Sequence, residues 1–241
     1  MRKYNYGSII LILIVNAIIS GILQNIADGN LSILSGFVAF IFDYIICRGL
    51  LYNREGSFSD YFRGIKTMTG KVFLMNILVG AITVTLILLA TFASGAGFLL
   101  TSYAVNSPKI FISFVVLIAL VTIFTSLLFA YMNFFMADER YRDLPFFDSL
   151  KLILKAGIKL FSESFMAGVK AYKITLLAGV IVLVTGVLAF QTPMAAIITF
   201  IFGIIAAISL FLCTPPFRAS LSDIYIDRAE EIYNEVIGCE D

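Results

Sequence analysis

Asp43 and Arg48 are ionisable side chains inside a long apolar stretch of this chain, and chemistry within a membrane would start from them. Burying charge in hydrocarbon is expensive, so such groups are functional candidates by default. They stand five positions apart. At about 100° per residue that separates them by about 140° around a helix, which disfavours a direct pair. Arg48 lies nearer the end of its stretch and can snorkel to the interface, whereas Asp43 sits near the middle and cannot. Asn16 falls at a similar depth in the preceding stretch, and Asn76 and Asn133 fall at about the depth of Arg48. Asn16, Asp43, Arg48, Asn76 and Asn133 therefore form a candidate intramembrane polar site. One reading makes Asp43 a proton- or ion-coupled group, or places it in a polar pocket. The other makes it hydrogen-bonding glue between helices, with an Asn16–Asp43 bond inside the first hairpin.

Other chemistries are mostly excluded by residue type. The chain has no histidine. That removes the commonest metal ligand and neutral-pH proton shuttle, the HExxH metalloprotease motif and any Ser–His dyad. Paired-aspartate catalysis needs two buried acids, and Asp43 is the one acid within a span. No GxxxxGK[ST] loop occurs, and Gly95-Ala96-Gly97 is a turn signal, not a phosphate cradle. A Ser–Lys pair stays formally open, with nothing to place one in a pocket. No enzyme activity, cofactor or metal is expected. Cys47, Cys213 and Cys239 form no CxxC pair. They fall at or near one side of the membrane, the side expected to be cytoplasmic, where disulfides are rare.

The elements that must position these residues follow from hydropathy. Sixty per cent of the 241 residues are hydrophobic and 14% are charged, with a mean hydropathy of +0.99. A soluble domain carries about a quarter of its residues charged. Spans of about 20 apolar residues are read at residues 7–27, 31–52, 72–94, 110–136, 174–190 and 194–213, the last closed by Pro215-Pro216. The runs are continuous, so helices and not short alternating barrel strands are expected. The first run follows Arg2 and Lys3 like a secretory signal, but it is long and lacks a small residue at −3 of its one candidate cleavage point, so it reads as an uncleaved span.

Basic residues fix an expected orientation. Of the 17, only Lys109 falls in an odd-numbered connection. Arg54, Arg63, Lys66 and Lys71 follow span two. Arg140, Arg142, Lys151, Lys155, Lys159, Lys170 and Lys173 follow span four, and Arg2, Lys3, Arg218 and Arg228 lie at the termini. Six spans with both ends in the cytoplasm put nearly all positive charge on one side, whereas five or seven would scatter it. The net charge of +1 gives no argument for nucleic acid.

Two connecting segments are amphipathic. In the second, Phe146, Leu150, Ile153, Leu154, Leu160 and Phe161 are assigned to one face, with Asp148, Lys151, Lys155 and Lys159 opposite; Pro145 suits a helix start. Either the helix lies in the membrane interface with Lys151, Lys155 and Lys159 toward anionic headgroups, or it packs against the span ends with its lysines solvated. In the first segment Phe58, Phe62 and Ile65 share a face, with Asp60, Arg63 and Lys71 opposite. The pattern Phe58-x-Asp60-x-Phe62-Arg63-x-Ile65 recurs 88 positions later as Phe146-x-Asp148-x-Leu150-Lys151-x-Ile153, which suggests a parallel duplication. The tail, residues 217–238, also has helical spacing. From Arg218 to the end the chain carries seven acids and two bases. That tail either docks on the lysine face of the Phe146 helix or stands solvated.

From Tyr131-Met132-Asn133-Phe134-Phe135-Met136-Ala137-Asp138, through Ser149-Leu150-Lys151, to Lys155-Ala156-Gly157, the chain resembles a group of uncharacterised bacterial six-span membrane proteins. These are similar to the membrane domain of membrane-bound glycerophosphodiester phosphodiesterases. The resemblance implies a bacterial cytoplasmic-membrane protein and brings no catalytic residues with it. The expectation is an all-α, polytopic membrane helix bundle of six transmembrane helices with two interfacial amphipathic helices. Its expected role is non-enzymatic: accessory, scaffold or envelope homeostasis, with the bilayer and a membrane protein as partners. The alternative is a transporter or permease-like subunit with its site around Asp43.

Overall fold

The computed structural model describes residues 2–26, 32–93, 108–189 and 192–238. The turn at Asp28 to Asn30, the Gly95-Ala96-Gly97 signal, Gln191 and Cys239 lie outside them. Among the described residues every regular element is helical. In order they are α1 (Tyr6–Ile26), α2 (Ser32–Tyr52), α3 (Phe58–Phe62) with a 3₁₀ turn (Arg63–Thr67), and α4 (Gly70–Ala93). Then follow α5 (Pro108–Leu128), α6 (Met132–Ala137), α7 (Phe146–Lys159), α8 (Phe161–Ala189) and α9 (Pro193–Val236). Among the described residues six stretches are long and apolar enough to cross a bilayer. The chain is a multi-pass membrane protein.

Three span limits differ from the hydropathy reading, each for a physical reason. The fourth apolar run breaks after Leu128, turns through Phe129 to Tyr131 and resumes as α6. Tyr131, at φ −95° and ψ 0°, makes the turn, and the Met132 amide bonds Phe129 at i−3. Hydropathy cannot register such a break, because the turn residues are themselves apolar and buried. Helix α8 begins at Phe161, well before Ile174, since backbone hydrogen bonds continue through the polar stretch; its non-helical residue, Tyr172, stands beside the expected start. Helix α9 runs through Pro215 and Pro216 to Val236. The two prolines lack N–H donors, so the carbonyls of Phe211 and Leu212 lose their helical partners without the helix ending.

The chain forms two compact units. Unit 1 comprises Met1–Ile77, Leu128–Gly168 and Thr214–Asp241, so it gathers both termini and the connections after the second and fourth spans. Its core is the last half of α2, where Tyr44, Ile45, Ile46, Cys47 and Leu50 are all buried. Tyr44 to Cys47 are four consecutive buried residues, nearly a full turn, so neighbours enclose this stretch on most sides. Around it lie the six residues of α6, all buried, together with Tyr61, Leu152, Ile153, Tyr225 and Ile232.

Two glycines set the closest approaches. A Cβ on Gly157 would stand 1.8 Å from the Leu128 carbonyl oxygen, and one on Gly49 would stand 2.0 Å from the Tyr61 ring. The buried stripe of α7 is accordingly Ser149, Leu152, Ile153, Ala156 and Gly157. Phe146, Leu150 and Leu154 are only half-buried. The face drawn from large apolar residues is kept at Ile153 and Leu160, both buried, and shifted toward Leu152 and the small residues Ser149, Ala156 and Gly157. The first segment differs too. It is one short helix and a 3₁₀ turn that bury Tyr61 and Gly64 and leave Ile65 exposed.

Unit 2 comprises Leu78–Leu127 and Val169–Cys213. Among its described residues few side chains are buried, and many large apolar ones are exposed, among them Leu89, Phe92, Leu120, Leu177, Val184 and Phe200. So much exposed apolar surface suits lipid, not water.

Candidate functional site

Asp43, on the last half of α2, is the hub of a hydrogen-bonded relay inside unit 1. Asn133 Nδ2 donates to Asp43 Oδ2 at 2.5 Å, and the Arg218 guanidinium of α9 forms an ion pair with Oδ1. Asn76 Nδ2 of α4 donates to Asn133 Oδ1 at 3.2 Å and to the Val72 carbonyl at 2.8 Å. A carboxylate only accepts, so the Asn133 amide must present its nitrogen to Asp43 and its oxygen to Asn76. Donation therefore runs from Asn76 through Asn133 to Asp43, which accepts from Arg218 on its other oxygen. The break before α6 is what brings Asn133 to α2.

The five residues proposed from sequence divide. Asp43, Asn76 and Asn133 are joined, while Asn16 and Arg48 are not part of the relay. The expected Asn16–Asp43 bond does not form: Asn16 accepts from Ser20 on its own helix at 3.5 Å. Arg48 Nη1 donates to the Ala137 carbonyl and Nη2 to Glu139 Oε1, both at 2.6 Å. Its guanidinium lies 4.4 Å from the Tyr52 ring centroid. Arg48 is held by protein groups and does not simply snorkel to solvent.

A second polar centre surrounds Asp138, which is buried. Arg140 Nη2 donates to Oδ2 at 2.8 Å and the Arg140 amide to Oδ1 at 3.0 Å. Tyr225 Oη donates to Oδ2 at 3.0 Å, and Tyr52 Oη to Oδ1 at 3.3 Å. Burial raises the Asp138 pKa, but the Arg140 hydrogen bonds and charge, helped by Tyr225, outweigh it and hold the carboxyl below its ordinary value. Tyr225 stacks on Phe134 at 5.4 Å and meets Phe135 edge-on at 4.8 Å, so an aromatic wall encloses the carboxylate. Lys71 Nζ holds the following loop through the carbonyls of Arg142 and Leu144, at 3.0 and 2.6 Å.

The acidic tail docks on α7, one of the two arrangements left open by its charge. Lys159 Nζ pairs with Glu231 at 2.9 Å and also with Glu235, Lys155 pairs with Glu235 at 3.8 Å, and Arg228 pairs with Glu163 at 3.5 Å. Glu235 and Glu231 raise the Lys159 pKa. Lys151 is within 3.5 Å of Asp148 on its own helix. The N-terminus joins the same end of α9: Arg2 pairs with Asp223 at 3.0 Å and Asp227 at 2.6 Å, and Tyr4 Oη donates to Asp223 at 2.6 Å.

No protein-family model, curated protein or solved structure matches this chain. The membrane character stands on the helices themselves, and no family is identified. Among the described residues no three Asp, Glu or Cys side chains converge as a metal site would require.

Sequence reasoning missed Arg218, Asp138 and Glu139 as partners. For Arg218 a signal existed: an acid within a span calls for a base, and Arg218 is the first base after the sixth apolar run. For Asp138 there was none, because it sits in a charged loop like any solvated acid.

Proposed function

We propose that the protein is a non-enzymatic accessory or scaffold component of a bacterial cytoplasmic membrane, with both termini on the cytoplasmic side. The observation that carries this is how the intramembrane polar groups are used. Asp43 is committed to Asn133 and Arg218, and Asn133 to Asn76, so the relay joins α2, α4, α6 and α9 and acts as glue between helices. Most of the basic residues that fix orientation fall in the stretches gathered by unit 1, and Lys170 and Lys173 fall in unit 2. The resemblance of Tyr131 to Phe161 to a membrane domain attached to glycerophosphodiester phosphodiesterases fits a domain with no catalytic residues of its own.

The second reading, a transporter or permease-like subunit, draws on one observation: the Asp43 and Arg218 side chains remain 27% and 26% exposed. Proteoliposomes holding a pH-sensitive dye separate the two. Under imposed proton and sodium gradients the scaffold reading expects no Asp43-dependent flux. It also expects Asp43→Asn to lower the melting temperature, and Asp43→Arg with Arg218→Asp to recover part of the loss. Gradient-driven flux that Asp43→Asn abolishes, with the fold retained, would overturn it.

A further inference from the structure

A cavity of about 180 Å³ opens at the end of α2, lined by Arg48, Tyr52, Asn53, Asp60, Arg63 and Thr67. Its polar groups are unbalanced toward donors. Arg48 gives one N–H to Ala137 and one to Glu139, leaving others of its five donors unused. Asn53 Nδ2 has one long contact, 3.4 Å to the Asp60 carbonyl. Arg63 is 76% exposed and reaches Asp60 only at 3.5 Å, an exposed contact of the kind that holds a side chain weakly. Asp60 is itself committed, accepting from the Ser57 amide at 2.9 Å and hydroxyl at 2.7 Å in a capping box.

Arg48 is already paired with Glu139, which stands outside the lining, so the exposed Arg63 and the unused donors of Arg48 and Asn53 are what an anion would meet. Planar guanidinium forks suit phosphate oxygens. The volume corresponds to about six waters, room for a phosphodiester and a few attached carbons. Height favours a lipid source. The second span, Leu34–Tyr52, has 19 residues, or about 28 Å of helix. That is close to the hydrocarbon thickness of about 30 Å, so Tyr52 reaches headgroup level.

We infer that this cavity binds the phosphodiester of an anionic lipid headgroup, with Arg48 fixed beside Tyr52 as one wall and exposed Arg63 closing over the phosphate. The test uses the full chain in mild detergent, titrated with phosphatidylglycerol and read by native mass spectrometry, with inorganic phosphate as a separate competitor. Wild type should retain one lipid, and Arg63→Gln should weaken its binding about tenfold or more. Arg63→Lys should lose less, and Lys66→Gln, in the same turn but outside the lining, should behave as wild type. The melting temperature of Arg63→Gln should be unchanged, since the side chain is exposed. Arg63-dependent displacement of the lipid by inorganic phosphate alone would support the site and reassign its occupant to a free phosphate. Equal binding by wild type and Arg63→Gln in both arms, or equal losses in Lys66→Gln and Arg63→Gln, would overturn it.

Discussion

The two units hold themselves together by different means. In unit 1 the contacts are long in sequence and chemically mixed: Asp43 with Arg218, Asp138 with Tyr225, Lys159 with Glu231, all around buried aromatics. Among the described residues of unit 2, the hydroxyls mostly return to their own helices, as Thr83 does to Val79 and Thr185 to Ile181. The bonds between Thr175 and Ser209 and from Thr199 to Thr185 instead cross between helices. Unit 1 is organised around α6, α7 and the tail like a water-facing core, where burial of apolar area drives packing, although its α1 exposes Ile14, Ile18 and Ile22 as a lipid-facing span would. Unit 2 is organised for a solvent as apolar as its own side chains, where that drive is absent and helices meet through small contacts. One sequence thus meets two solvents with two kinds of glue.

The sharpest way to break this contrast is to add one methyl group to each unit. Gly157→Ala places a Cβ 1.8 Å from the Leu128 carbonyl oxygen. A backbone atom cannot swing aside, so α7 must separate from the end of α5. Overpacking costs about 1–3 kcal/mol in ordinary cores, and this variant should lie at or beyond the upper end, seen as a large loss of melting temperature in detergent. Gly179→Ala in unit 2 meets nothing within 4 Å. It should be neutral or stabilise by up to about 1 kcal/mol through helix propensity. Similar losses in both would remove the distinction between the units.

Asp138→Asn comes next. It keeps the shape but weakens the acceptor for the buried Tyr225 hydroxyl and removes the partner charge of Arg140. The expected cost is about 1–3 kcal/mol. It also carries a pH signature. The folded carboxyl has a lowered pKa, so its contribution is complete above the unfolded value of about 3.9 and is lost as pH falls through the folded value. Wild type should therefore lose stability relative to Asp138→Asn on acidification below about pH 4. Parallel unfolding curves through that window would show the charge contributes nothing.

A smaller effect is expected where the tail meets α7. Lys159→Glu sets a third acid beside Glu231 and Glu235, so residues 217–238 should become easier to cleave by protease, and more so at low salt. Restoring protection with Glu231→Lys and Glu235→Lys added would show that charge pairing docks the tail. Unchanged cleavage in Lys159→Glu would mean that buried Tyr225 and Ile232 hold it instead.

What was legible in the sequence divides along the same line. The helices of unit 2 were readable in outline, because a lipid-facing helix is its hydropathy: the span at 194–213 falls within α9, and the described residues of the span at 72–94 fall within α4. Unit 1 was readable in parts. Asp43, Asn76 and Asn133 were marked out as polar groups in apolar runs, and docking of the acidic tail on the lysines of α7 was one of the two arrangements its charge left open. Its joints were not readable. The turn at Phe129 to Tyr131 is apolar, the stripe through Ser149, Ala156 and Gly157 is small, and Arg218 is remote from Asp43 along the chain. Packing of small residues and pairing at long range leave no periodic trace, whereas lipid exposure does.

The smallest prediction sharpens unit 2 itself. Thr199 Oγ1 donates to Thr185 on the neighbouring helix at 2.7 Å and lies 2.8 Å from its own Ala195 carbonyl; Thr85 returns to Ala81 at 2.8 Å. Interhelical side-chain bonds in membranes average about 0.6 kcal/mol, since the separated helices find other partners. Thr199→Val should therefore cost about that much, and Thr85→Val, which breaks no bond between helices, should fall within about 0.5 kcal/mol of zero. A double-mutant cycle of Thr199→Val with Thr185→Val isolates the shared term. Should that coupling reach the cost of Asp138→Asn, the hydroxyls of unit 2 would be acting as structural polar groups like those of unit 1, and the contrast between the two solvents would have to be redrawn around hydrogen bonds, not burial.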